Sequence, residues 1–166
     1  MKLNKSFEQA VYVLTMLALQ ENHTPVKSRV LSDILEVSDS YLKKILVKLT
    51  RAGLIQSNAS KVGGYQLAQS VTTITLKDVF FALDLQANVI AFKHMAHHIY
   101  DDTSHVKQVE NKVQQTLEKG LFAFYHELDT LTIAELLQEG AYENGAINWS
   151  NRVKNHSDRQ SEHSSY

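Results

Sequence analysis

Apolar residues recur at intervals of three and four through the first fifty positions, and they do so in three separate runs. Phe7, Ala10, Val11, Leu14, Leu17 and Ala18 mark one amphipathic helix. Leu31, Ile34 and Leu35 mark a short second helix. After a break at Val37, the same period returns in Leu42, Ile45, Leu46 and Leu49. Two short helices on either side of a tight break share one small core, with the first helix packed against them. Ser38 is placed to cap the third helix through its hydroxyl, and Asp39 adds negative charge at the positive helix end. Gly53 sits where a left-handed residue ends a helix. Residues 54–57 then read as a strand, Gly63-Gly64 as a turn signal and residues 65–68 as the returning strand. The pattern predicts a mainly α chain carrying a small β-wing: a helix-turn-helix followed by a two-stranded wing.

Further along, Thr75-Leu-Lys-Asp78 is a capping-box pattern that opens a helix through Val79, Phe80 and Leu83. From Val106, the apolar positions Val109, Val113, Leu117, Leu121, Phe124 and Leu128 recur every three or four residues. A helix of about 23 residues is roughly 34 Å long, more than one small domain can bury. This predicts a C-terminal dimerisation helix crossing its twin, with a helix folded back on its own chain as the alternative. Leu131, Ile133, Leu136 and Leu137 continue as a short helix. The expected organisation is a winged helix-turn-helix over 1–84, a linker and dimerisation helices over 85–142, and a polar, flexible tail over 143–166 in which Trp149 is the one candidate local anchor.

With Leu42, Ile45, Leu46 and Leu49 turned inward, the opposite face of the third helix carries Ser40, Tyr41, Lys43, Lys44, Val47, Lys48 and Arg51. Past Asp39 it holds four basic residues and no acid. A solvated helix mixes signs on its outer face. A helix seated in a major groove needs hydroxyls near its N-terminus for base edges and cations for phosphates. Double-stranded DNA is therefore the expected partner. Ser38, Ser40, Tyr41, Lys43 and Lys44 are the candidate operator contacts, the hydroxyls and Lys43 as readers of bases and the other lysines as sources of salt-dependent affinity, with Lys48, Arg51 and the wing residue Lys61 the candidate phosphate contacts.

The order "VSxSYL", "ILxKLxxAGLI", "GGYxLA" and "ITLxDV" resembles the IscR, NsrR and CymR family of bacterial winged-helix transcriptional regulators, also called the Rrf family. The resemblance covers roughly the first half of the chain closely. It implies a homodimer that binds an imperfect palindrome, most simply as a repressor. Several positions depart from the family pattern. Glu36 stands where a glycine usually makes the tight turn, and Lys43 where many members carry an acid that restricts base choice. Ala59 and Ser60 replace an Arg-Gly pair in the wing, and Glu8 and Gln9 replace a basic-aromatic pair near the N-terminus. These changes imply a different operator and fewer wing and N-terminal contacts with DNA.

The composition changes the picture at one point above all: the 166 residues contain no cysteine. Iron–sulfur members hold their cluster with thiolates, so the resemblance that survives is to cluster-free members, and no cofactor is expected. Disulfide switching is excluded within these residues. A small-molecule or protein effector is left open. The net charge of −1 hides an asymmetry, since residues 1–70 hold 9 basic to 5 acidic side chains and residues 71–166 hold 8 to 13. The basic half is the half with the winged helix. No apolar run is long enough for a membrane span and no signal pattern opens the chain, so no membrane contact and a cytoplasmic location are expected.

His94, His97, His98 and His105 fall in the stretch where cluster-binding relatives keep their cysteines. On a helix His94 and His98 lie one turn apart, a chelating spacing, with Asp101 or Asp102 as a third donor. A polar surface with scattered histidines explains the same residues, and no metal site is assigned. Catalytic signatures are missing: there is no cysteine nucleophile, phosphate-cradling glycine loop or GxSxG elbow, so an enzyme is not expected. The alternative to a DNA-binding regulator is a winged-helix protein-interaction module, or a metal- or pH-responsive regulator with weakened DNA contact.

Overall fold

The computed structural model describes residues 5–60, 63–87, 89–90 and 94–154. The chain opens with α1 (Lys5–Leu19), whose Ala10, Val11, Leu14, Leu17 and Ala18 are buried as their spacing predicts, with Val13 buried as well. A turn of 3-10 helix, Glu21–His23, leads to α2 (Ser28–Ile34) and α3 (Asp39–Arg51). Leu31, Leu42, Leu46 and Leu49 are fully buried between these helices. The break between α2 and α3 puts Glu36 at φ 54°, a left-handed conformation that a glycine would adopt without steric cost.

The end of α3 follows from Gly53. At φ 72° it lets the Leu54 amide donate to the Leu49 carbonyl and its own amide donate to Thr50, both at 3.0 Å, which satisfies the last carbonyls of the helix. Leu54 is used in this cap, so the strands lie one residue away from the expected bounds. They are β1 (Ile55–Asn58) and β2 (Gly64–Leu67), antiparallel, with Ile55 opposite Leu67 and Asn58 opposite Gly64. Val26 adds a third rung, exchanging both backbone hydrogen bonds with Tyr65 at 2.8 and 2.9 Å. A Cβ on Gly64 would stand 2.5 Å from the Val26 carbonyl, so only glycine allows the wing to meet the segment leading into α2.

The capping box forms as its sequence predicts and opens α4 (Leu76–Ala82): the Thr75 hydroxyl accepts from the Asp78 amide, and the Asp78 carboxylate accepts from the Thr75 amide. Phe80, on α4, is 1% exposed and meets the rings of Phe7, Phe124 and Tyr125 at centroid distances of 5.6 to 6.2 Å. α5 (Thr103–Thr130) runs for 28 residues, about 42 Å. Of its apolar stripe, Val113 and Leu117 stay 46% exposed, whereas Phe124, expected at a dimer seam, packs its ring on Phe80 of its own chain. The reason is that α4 lies alongside the last turns of α5 and leaves the middle uncovered.

After α5 the chain returns. Leu76 donates to Leu131 and Ile133 to Ile74, and the Ile133 side chain is fully buried in the core of the winged helix. The expectation of a flexible tail from residue 143 is corrected for 143–154. Ile147 pairs with Gln20, and the amides of Ala146 and Ile147 both donate to the Leu19 carbonyl. Trp149 is 6% exposed, with its indole N–H donating to the Met16 carbonyl at 2.8 Å. The segment closes over the C-terminal end of α1, whose last carbonyls need partners. Residues 155–166, the rest of that expectation, lie outside the described residues.

Candidate nucleic-acid interface

The amphipathic period of α3 fixes which side chains it presents. Leu42, Ile45, Leu46 and Leu49 are inward, and Ser38, Ser40, Tyr41, Lys43, Lys44, Val47 and Arg51 are exposed together on the other side. Tyr41 is 42% and Val47 52% exposed, a phenol and a methyl pair standing among cations. The structure thus brings together all but one of the predicted α3 residues.

The exception is Lys48. Its ammonium turns toward the end of α4, donating to the Leu83 carbonyl at 2.9 Å and pairing with the Asp84 carboxylate at 3.0 Å. Lys48 follows Ile45 by three positions and lies at the edge of the buried face, within reach of the helix that covers it. Its expected place on the outer face is corrected.

Two other details differ from the sequence reading. Ser38 occupies the cap position of α3, but its hydroxyl shares a 2.9 Å hydrogen bond with the Ser40 hydroxyl and makes no side-chain cap bond. Lys43 pairs with Asp39 one turn earlier, at 2.7 Å. That ammonium, and next the Ser28 hydroxyl on α2, hold the Asp39 carboxyl below its ordinary value. Lys44 and Arg51 have no ion-pair partner among the described residues. Lys61 lies outside the described residues.

A further cation was missed in the sequence. Lys27 is exposed at the start of α2, one residue after the rung that Val26 makes with the wing. It adds positive charge where the chain passes from Val26 into α2, and its signal was available as the one lysine or arginine between the first and second helices.

His94, His97, His98 and His105 form no ligand set among the described residues. His94 adopts φ 50° and precedes the 3-10 turn Met95–His98, so it does not share a helix face with His98 as a chelating pair would. Its Nδ1 lies 2.9 Å from the Glu110 carboxylate, His97 stacks on His98 at 4.0 Å, and His105 packs edge-on to Tyr100. Among the described residues no group of three or more His, Asp or Glu side chains could hold a metal ion, and none of their helices is long and apolar enough to cross a membrane.

Comparison with known proteins places this arrangement. The family model for Rrf2, iron-dependent transcriptional regulators, matches residues 3–139. The chain belongs to the Rrf2 family. It is 35% identical over 128 residues to the HTH-type transcriptional regulator YffB of Lactococcus lactis, covering 70% of this chain and 81% of that protein. It is 34% identical to YwgB of Bacillus subtilis, described in the same terms, over 63% of this chain and 67% of that one. In fold, this Rrf2 protein is similar to CymR, the global cysteine regulator of B. subtilis, with a TM-score of 0.56 at 19% identity over 82% of this chain and 95% of that one. The IscR of T. potens gives 0.55 at 23% identity over 91% and 96%. As an Rrf2 member the chain is a DNA-binding transcriptional regulator and not an enzyme, with α3 as the second helix of its helix-turn-helix. Iron in the form of a thiolate-held cluster does not fit its donor set, since the sequence has no cysteine.

Proposed function

We propose that this protein is a homodimeric, cluster-free repressor that reads an imperfect DNA palindrome with α3. The observation that carries the reading is the exposed face of α3, where Ser40, Tyr41, Lys43 and Lys44 stand together on a helix whose opposite face is fully buried. Ser38, Ser40, Tyr41 and Lys43 are assigned to base edges, and Lys44, Arg51, Lys61 and Lys27 to phosphates. Lys48 is assigned to holding α3 against α4. The dimer is supported by the uncovered middle of α5, where Val113 and Leu117 face solvent on a helix about 42 Å long. Two recognition helices of such a dimer reach half-sites about 34 Å apart, one turn of DNA. With DNA as its partner, we assign the protein to the cytoplasm.

Selection of bound sequences from a random double-stranded DNA pool, run at two salt concentrations, tests the reading. The expected result is an enriched palindrome with half-sites about one turn apart, bound with a steep salt dependence. Enrichment of no motif at either salt concentration overturns it.

A further inference from the structure

The wing is tied to the rest of the chain at two heights. Its root is held from the end of α3: the Ala68 amide donates to the Leu54 carbonyl at 3.1 Å, and the Gln69 side-chain amide donates to the Gly53 carbonyl at 3.2 Å. Nearer the tip, the hold is the rung between Tyr65 and Val26. Val26 belongs to the stretch between α1 and α2, and that stretch is gripped from its other side by residues 143–149. The Glu21 amide donates to the Ile147 carbonyl at 2.9 Å, the Asn22 amide donates to the Asn144 carbonyl at 2.8 Å, and His23 Nε2 lies 3.0 Å from the Glu143 carbonyl. The Gln20 side chain, 6% exposed, links the two neighbours: its Oε1 accepts from the Trp149 amide at 3.4 Å, and its Nε2 donates to the Thr24 hydroxyl at 2.9 Å. Between these bonds Asn22 and His23 are both left-handed, at φ 53° and 50°. Two successive left-handed residues other than glycine persist only where their surroundings over-determine them. Here residues 143–149 supply those surroundings.

We propose that residues 143–149 are a positioning segment for the wing: by holding the strained turn at Asn22 and His23 they fix Val26, and through Val26 the tip half of the wing. Without that grip the turn relaxes out of the left-handed region, the Val26–Tyr65 rung opens, and the wing keeps its root attachment alone. Gly145 is what lets the segment come so close. A Cβ on it would overlap the Gln20 carbonyl, and its own φ is 62°. The segment follows residue 139, the end of the family match, so the grip comes from chain outside the part that the family model describes. The consequence for DNA rests on the proposed function, in which Lys61 of the wing meets a phosphate; the hold on the wing does not.

The test uses the full chain, labelled with ¹⁵N. Amide exchange of the native protein in rising urea groups the amides that open together. The expected result is one shared opening for Ile147, Asn22, Val26 and Tyr65, short of global unfolding, with Ala68 at the wing root opening separately. Tyr65 opening with Ala68 and not with Ile147 overturns the proposal. Gly145→Ala keeps Trp149 and the core side chains, and is expected to speed exchange at Val26 and Tyr65 about tenfold more than at Ala68. Should that variant fail to fold, exchange in the unaltered protein decides alone. Binding is then read on a poly(dA-dT) duplex over a range of salt, which needs no operator. Lys61→Ala is expected to lower the slope of log affinity against log salt by about 0.9, or affinity about eightfold at about 0.1 M salt. Gly145→Ala should show the same loss, and Lys61→Ala added to it no further loss. Losses that add in full overturn the proposal, because the wing would then still deliver Lys61. If Lys61→Ala costs the unaltered protein nothing, the wing contact of the proposed function fails, and exchange still decides the hold on the wing.

Discussion

The Lys48 ammonium is 3.0 Å from the Asp84 carboxylate and donates to the Leu83 carbonyl, tying the last turns of α3 to the end of α4. Asp84 itself has φ 58° and leads into the stretch that connects α4 to α5. Among the described residues this is the one ion pair that α3 makes outside itself. It gives the end of α4 a direct hold on α3.

Lys48 and Lys44 should therefore behave differently when altered. Lys44→Ala is expected to lower the slope of log affinity against log salt by about 0.9, as the loss of one phosphate contact does. Lys48→Met is expected to leave the slope unchanged and to reduce stability by about 1 kcal/mol, from a surface ion pair and one hydrogen bond to a backbone carbonyl. Salt titrations of operator binding, paired with urea denaturation, separate the two. A reduced slope in Lys48→Met would return that residue to the DNA face.

Asp39 gives a prediction in pH. Its folded-state pKa is depressed, first by the hydrogen bond from Lys43, so its contribution to stability is fully present above the ordinary aspartate value. That contribution is lost as pH falls from about 4 through the lower folded value. Asp39→Asn removes this part of the acid sensitivity, and the Tm of the variant should decline less steeply than that of the parent below pH 4. The same change frees the Lys43 ammonium and removes a negative charge from the DNA face, so operator affinity should rise at low salt. Unchanged affinity would mean that Lys43 already leaves Asp39 when DNA binds.

The helices of the winged domain were legible because one rule, the period of apolar positions, fixes both the helix and its buried face. Leu42, Ile45, Leu46 and Leu49 are all buried where that rule puts them. Side-chain pairing was not legible to the same degree. Nothing in the spacing says that Lys48 turns to Asp84, 36 positions later, or that Ser38 bonds Ser40 rather than the backbone. Residues 143–154 of the tail were misread for a different reason. Averaged over 143–166 the composition is polar, but Ile147 and Trp149 are enough to anchor a segment when helix-end carbonyls await donors on the surface they cover. Composition measures the average, whereas docking depends on a few residues.

Trp149 tests that docking. It is buried and is the single tryptophan of the chain, so its emission reports directly on the segment. Trp149→Ala removes most of a buried indole and is expected to cost about 3 to 5 kcal/mol, measured by urea denaturation followed by circular dichroism. Trp149→Phe keeps much of the packing but loses the hydrogen bond to Met16, and should cost less. A free tail would instead give a parent emission typical of solvent-exposed indole and no stability change in either variant. The segment lies beyond residue 139, where the match to the Rrf2 family ends, so the anchor stands outside the part of the chain that the family model describes.

The long helix provides the last test, because its two halves make opposite demands. Phe124 and Tyr125 near its end are held by Phe80, so substitutions there act on the fold of a single chain. Val113 and Leu117 lie a helical turn apart in the middle, each 46% exposed and outside the buried core of the described residues. Val113→Asp with Leu117→Asp should leave the circular dichroism spectrum and the urea midpoint of the winged domain nearly unchanged while halving the mass seen by sedimentation. The double variant should then bind a full palindrome no better than a half-site, since each monomer must make its phosphate and base contacts alone. A double variant that stays dimeric would place the contact between copies elsewhere on the molecule. A parent protein that sediments as a monomer at micromolar concentration would remove the two-fold reading altogether. The stripe itself discriminates between these outcomes: two like charges one turn apart are tolerated on a solvated helix, and are strongly unfavourable when a second helix carries the same pair against them.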